Sequence, residues 1–106
     1  MKKSVSAVLA LLAVVAFLSV AFAAKGPSGK ELYEKNCAGC HPNGGNSMKP
    51  AFSLHKKDLA AHKVDSVKGI VEKIRRPGPG MPSFSKSMIS DAQAKEIARY
   101  ILKTYR

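Results

Sequence analysis

A chain of 106 residues with two cysteines and a formal charge of +11 has room for one small domain, which excludes a multidomain enzyme. The basic excess admits a nucleic-acid binder, since Lys and Arg release counterions from phosphate, unless the chain is exported.

The first segment points to export. Met1-Lys2-Lys3 is a basic start, Val5 to Ala21 is an apolar run interrupted by Ser6 and Ser19, and Ala21-Phe22-Ala23 has the A-x-A form of a signal-peptidase site. Residues 1–23 are read as a signal peptide and residues 24–106 as a single domain. The apolar run is nearly long enough to span a bilayer, so a retained N-terminal anchor is the alternative. Cleavage removes Lys2 and Lys3 and no acid, leaving 83 residues with a charge of +9. A polar chain of that size without tryptophan forms a thin core and calls for a cross-link, metal or cofactor. A disulfide between Cys37 and Cys40 would close too short a loop to constrain it.

Lys25-Gly26-Pro27 reads as a linker, and Ser28 with Glu31 as a capping box opening a helix from Gly29 to Ala38. Pro42 to Pro50, with Gly44-Gly45-Asn46 inside it, is a loop. Leu54 to His62 is ambiguous, with a short helix through Leu59, Ala60 and Ala61 as one reading. Val67, Ile70, Val71 and Ile74 recur at helical spacing behind Asp65 or Ser66 as cap, and Arg75-Arg76 suits the helix end. The prolines at 77, 79 and 82 stop that helix. Ser90 and Gln93 form a second capping box before an apolar stripe of Ala94, Ile97, Ala98, Ile101, Leu102 and Tyr105. No segment alternates with a period of two. The expected class is all-α, three to four short helices with long functional loops.

Cys37-Ala38-Gly39-Cys40-His41 has the C-x-x-C-H pattern of covalent c-type haem attachment. Two thiols at this spacing can reach the two vinyl groups of one haem, and the next residue turns its imidazole toward the iron. His41 then needs a neutral ring with its second nitrogen held by an acceptor; the loop from Gly44 to Pro50 is the natural source, with the Pro50 carbonyl as the expected partner. For the sixth ligand the candidates are Met81, Met88, Met48, His55 and His62. Met81 lies in a proline-and-glycine segment that cannot be helical and suits a rigid ligand loop. A His/Met pair raises the reduction potential and leaves no open position for a substrate, which fits electron transfer.

These residues resemble a class I c-type cytochrome, most similar to the small soluble c-six and c-553 carriers of phototrophs and bacteria. Gly29 and Tyr33 stand at the family's small and aromatic positions on the N-terminal helix, Tyr100 at the aromatic of the C-terminal helix that crosses it, and Met81-Pro82-Ser83-Phe84 at its Met-Pro-x-Phe ligand loop. The resemblance implies that helices and loops wrap one covalent haem c, that Cys37 and Cys40 carry its thioethers, and that His41 and Met81 bind its iron. It also implies attachment outside the cytoplasmic membrane, hence a periplasmic location, and an electron carrier, not an enzyme; a monomer is expected. Lys73 stands where many photosynthetic members have a glutamine, and Pro77 and Pro79 are additions to the loop.

Other readings of the same residues are a small peroxidase or gas sensor with a displaceable sixth ligand, a thioredoxin-like thiol pair, and a zinc site of Cys37 and Cys40 with His55 and His62. The thiol pair lacks a βαβ context, and the gap from His55 to His62 exceeds the zinc-finger template. Lys49, Lys56, Lys57, Lys63, Arg75 and Arg76 form either a solvated face or a ring that steers acidic redox partners to the haem edge.

Overall fold

The computed structural model describes residues 26–106; the expected signal peptide, residues 1–23, lies outside the described residues. Among the described residues four α-helices follow one another: α1 (Gly29–Asn36), α2 (Lys56–Ala61), α3 (Val67–Arg75) and α4 (Asp91–Thr104), with single 3-10 turns at Pro42–Gly44 and Pro50–Phe52. Among the described residues there is no strand, and no helix is long and apolar enough to cross a membrane.

The capping signals explain three of the four starts. Ser28 Oγ accepts the Glu31 amide at 3.2 Å, so only the first half of the box expected there forms. Ser66, not Asp65, caps α3 by accepting the Gly69 amide at 2.9 Å. At α4 both halves are made: Gln93 N–H donates to Ser90 Oγ at 3.2 Å and Ser90 N–H to Gln93 Oε1 at 3.0 Å. Helix α1 ends at Asn36 rather than Ala38, because the Cys37 and Ala38 amides both turn onto the Tyr33 carbonyl, at 2.8 and 3.0 Å. The ambiguous segment resolves into α2, which has no side-chain cap and is held by burying Leu59.

Helix α4 is the centre of the fold, with α1 and α3 both packed against it. Its stripe of Ala94, Ile97, Ala98 and Ile101 is buried, while Leu102 and Tyr105 pack more loosely at its end. Gly29 lets α1 come close: a Cβ on it would lie 2.4 Å from the Glu96 carbonyl oxygen. Burying each Ile or Leu of this core contributes about 1.5–3 kcal/mol, and there are few of them, so what lies between the helices and the loops matters.

Candidate functional site

The five residues from Cys37 to His41 wind into one turn behind α1, in which the Cys37 carbonyl accepts the amides of Cys40 at 3.2 Å and His41 at 2.9 Å. Cys37 is half-buried and Cys40 exposed. Burial pushes the Cys37 thiol up to about 11, so its sulfur sits in surroundings that disfavour charge. His41 Nδ1 lies 2.8 Å from the Gly45 carbonyl. A carbonyl oxygen only accepts, so Nδ1 carries the proton and the lone pair of a neutral ring is on Nε2, the nitrogen then free to bind a metal. The acceptor comes from the expected loop but is Gly45, not Pro50. The 3-10 turn at 42–44, with Asn43 at φ 53° and Gly44 at φ 76°, folds the chain back within four residues of His41, well before Pro50.

Cys37, Cys40, His41 and Met81 line one cavity of about 420 Å³, walled by apolar side chains that include Leu59, Ile70, Ile74, Phe84, Ile97 and Ile101. That donor set, with one imidazole nitrogen already engaged and a soft thioether on an apolar wall, fits a planar hydrophobic group that carries a metal. Met81 is half-buried and closes a turn in which its amide reaches the Gly78 carbonyl at 3.4 Å, with Gly80 at φ 91°. Of the rival ligands, Met88 is 63% exposed and His55 meets the Tyr105 ring edge-on; neither lines the cavity. Met48 and His62 do line it but are exposed, with the His62 ring 4.0 Å from that of Phe52. Among the described residues no three His, Cys, Asp or Glu side chains converge on a metal position, so the zinc set of Cys37, Cys40, His55 and His62 is not assembled.

The loop bearing Met81 is anchored from α3 by a residue expected on a docking surface. Arg75 is only 17% exposed at its side chain and donates to the carbonyls of Phe84 at 3.1 Å and Ile89 at 2.7 Å, and to Asp91 Oδ1 at 2.8 Å. It is therefore removed from the set of surface charges, and Arg76 is paired with Glu72 at 2.6 Å. The sequence gives no sign of this, because the partners of Arg75 are two carbonyls and a carboxylate that only the folded loop brings to it. Phe84 N–H closes on the Ile74 carbonyl at 2.9 Å, and Lys49 Nζ spans to the Pro79 carbonyl at 3.4 Å. Lys49, Lys56, Lys57 and Lys63 are exposed.

The family described as cytochrome C oxidase, cbb3-type, subunit III, matches residues 24–101. Cytochrome c6 of Pyropia yezoensis is 30% identical over 96% of this chain and 94% of its own length. The chain belongs to the class I c-type cytochromes, in the c6/c553 group. Cytochrome c6 of Synechocystis sp. is 38% identical over 79% of this cytochrome and 69% of the relative. The solved structure of OmcF, an outer membrane cytochrome of Geobacter sulfurreducens, superimposes with a TM-score of 0.73 at 39% identity, over 74% of this cytochrome and 100% of that chain. The class I fold, one covalent haem c and the role of a monohaem electron carrier, not an enzyme, follow from membership.

Proposed function

We propose that this cytochrome is an exported, periplasmic carrier in which Cys37 and Cys40 would hold the haem by thioethers and His41 and Met81 would bind its iron. The observation that carries the reading is the convergence of these four side chains on one apolar cavity while Gly45 occupies His41 Nδ1. When bound, the haem supplies a reversible one-electron ferric–ferrous couple whose potential a methionine ligand raises. The protein's own part is positional. Gly45 fixes the tautomer and rotation of His41. Arg75 and the Phe84 amide hold the Met81 loop against α3 and α4. Ile70, Ile74, Ile97 and Leu59 keep water from the cavity floor, which lowers reorganisation on electron transfer.

The leader, residues 1–23, is removed at Ala23, and the mature cytochrome acts as a monomer on acidic redox partners. The optical spectrum tests the ligand assignment: Met81→Ala abolishes the methionine-linked band near the red end of the ferric spectrum, and Met88→Leu leaves it in place. Survival of the band in Met81→Ala removes Met81 as ligand. The reduced wild type should not bind carbon monoxide, and the mass of the exported protein should correspond to Ala24–Arg106 plus one haem.

A further inference from the structure

The hydroxyl of Tyr33 is engaged on both sides by the turn that follows His41. It donates a hydrogen bond to the His41 carbonyl and accepts the Gly44 amide at 3.2 Å. Tyr33 is 2% exposed, so a phenol held there without partners would be costly; here both go to one turn. The other side of that turn is pressed by Tyr105. Gly44 sits at φ 76°, and a Cβ on it would lie 2.5 Å from the Tyr105 ring. The Tyr33 and Tyr105 rings are themselves 5.6 Å apart, and the Tyr105 carbonyl accepts the Lys56 amide at 3.0 Å, which fixes the end of α4 to the start of α2. Gly44 is thus clamped between a phenol oxygen from α1 and a phenol ring from the end of α4. The next residue, Gly45, offers the carbonyl that meets His41 Nδ1.

We infer that Tyr33 is a positioning residue for the proximal ligand: its hydroxyl, through the His41 carbonyl and the Gly44 amide, sets how closely the Gly45 carbonyl approaches His41 Nδ1, and so tunes the reduction potential. The inference rests on His41 being an iron ligand, as proposed above. The acceptor on Nδ1 increases the electron donation of the imidazole, which favours the ferric state. Without the Tyr33 hydroxyl the turn loosens, the Nδ1 bond weakens, and the ferric state loses part of that support. The potential therefore rises. Tyr100 packs on Tyr33, with ring centroids 5.3 Å apart, but makes no hydrogen bond to the turn. Tyr100→Phe therefore serves as the control for loss of a phenol hydroxyl from the same aromatic cluster without loss of a bond to the turn.

The test uses the haem-loaded wild type, Tyr33→Phe and Tyr100→Phe, each characterised by optical spectrum, midpoint potential and thermal unfolding. Tyr33→Phe is expected to keep the low-spin six-coordinate spectrum and to shift the oxidised/reduced equilibrium toward ferrous by about threefold or more, roughly 28 mV at about 59 mV per tenfold for one electron. Tyr100→Phe is expected to leave the potential in place. An intact spectrum with an unmoved potential in Tyr33→Phe overturns this proposal alone; a wild-type spectrum without a histidine ligand overturns the ligand assignment and this proposal together. A second measurement needs no variant. In the ferrous wild type, the Gly44 amide and the His41 ring N–H should exchange with solvent in one common opening event. A Gly44 amide that exchanges freely while the ring proton stays protected overturns the coupling.

Discussion

Gly29 and Tyr33 lie one helical turn apart on the buried face of α1 and do different work. Gly29 lets the helix axis approach α4, and Tyr33 uses that approach to reach the turn behind His41. Replacing Gly29 by Ala should gain up to about 1 kcal/mol of helix propensity and still destabilise the protein. The new methyl meets the backbone of Glu96 at 2.4 Å, where no flexible side chain can give way, and overpacking of this kind costs about 1–3 kcal/mol. Denaturant unfolding of the haem-loaded protein checks this; a midpoint equal to or above that of the wild type would contradict it. The cysteines and His41 are legible from sequence because their spacing is local chemistry. The acceptor for His41 is not. Which carbonyl of a glycine-rich loop meets the ring depends on the left-handed turn at Asn43 and Gly44, and several carbonyls in that loop are chemically equivalent candidates.

Helix α3 and the loop after it form a unit that Arg75 closes. Its guanidinium joins the Phe84 and Ile89 carbonyls to Asp91 at the first turn of α4, so one side chain links a helix end, a loop and a helix start. Replacing Arg75 by Met keeps much of the apolar stem, leaves the Phe84 and Ile89 carbonyls without their donor and leaves Asp91 with Lys86 as its remaining cation. The expected loss is about 2–4 kcal/mol, since the site is largely buried on the arginine side. The same variant should weaken the band assigned to Met81, because the loop that carries it loses its anchor. Asp91 supplies a pH dependence. The Arg75 hydrogen bond, and after it that from Lys86, hold the Asp91 carboxyl below its usual value of 3.8. A carboxyl lowered by folding contributes stability that is present above its unfolded value and lost as pH falls through the folded one. Unfolding midpoints measured from about pH 5 down to about pH 2 should therefore fall less steeply in Asp91→Asn than in the wild type. An identical slope in both would mean that Asp91 contributes nothing to acid stability. At this level the capping signals give the starts of α3 and α4 almost to the residue. The six-residue α2 stays ambiguous in sequence because it lacks a side-chain cap and depends on the burial of Leu59.

Viewed as one body, the cytochrome has a small aliphatic core that continues into the walls of the cavity: Leu59, Ile70, Ile74, Ile97 and Ile101 belong to both. A chain of this size has little hydrophobic surplus over the entropy of ordering its backbone, so the covalent haem is a structural member as well as a redox centre. Replacing both Cys37 and Cys40 by Ser should give a chain that has lost most of its helical circular dichroism and is quickly degraded. A double variant as helical as the haem-loaded wild type would show that the polypeptide alone suffices. Charge is unevenly spread. Between Met48 and Lys63 stand four lysines and one acid, Asp58, whose carboxylate is engaged by the Ser53 hydroxyl. Met48 and Phe52, 65% and 50% exposed, line the cavity from the same segment. This side is the one on which an acidic partner should dock. Raising salt from about 10 mM to about 150 mM shortens the Debye length from about 30 to about 8 Å and should slow electron transfer to such a partner severalfold. Lys56→Glu with Lys57→Glu should slow it at low salt, and a rate indifferent to both would remove the docking role.

Local pattern was enough for the all-α class and for naming Cys37, Cys40, His41 and Met81 as candidates that line one cavity, because helix periodicity, capping and motif spacing act over a few residues. The role of Arg75, the identity of the His41 acceptor and the clamp of Tyr33 and Tyr105 on Gly44 were decided only by the tertiary structure. Each depends on backbone groups from segments far apart in the chain, and a carbonyl or an amide has no residue type by which a sequence could single it out.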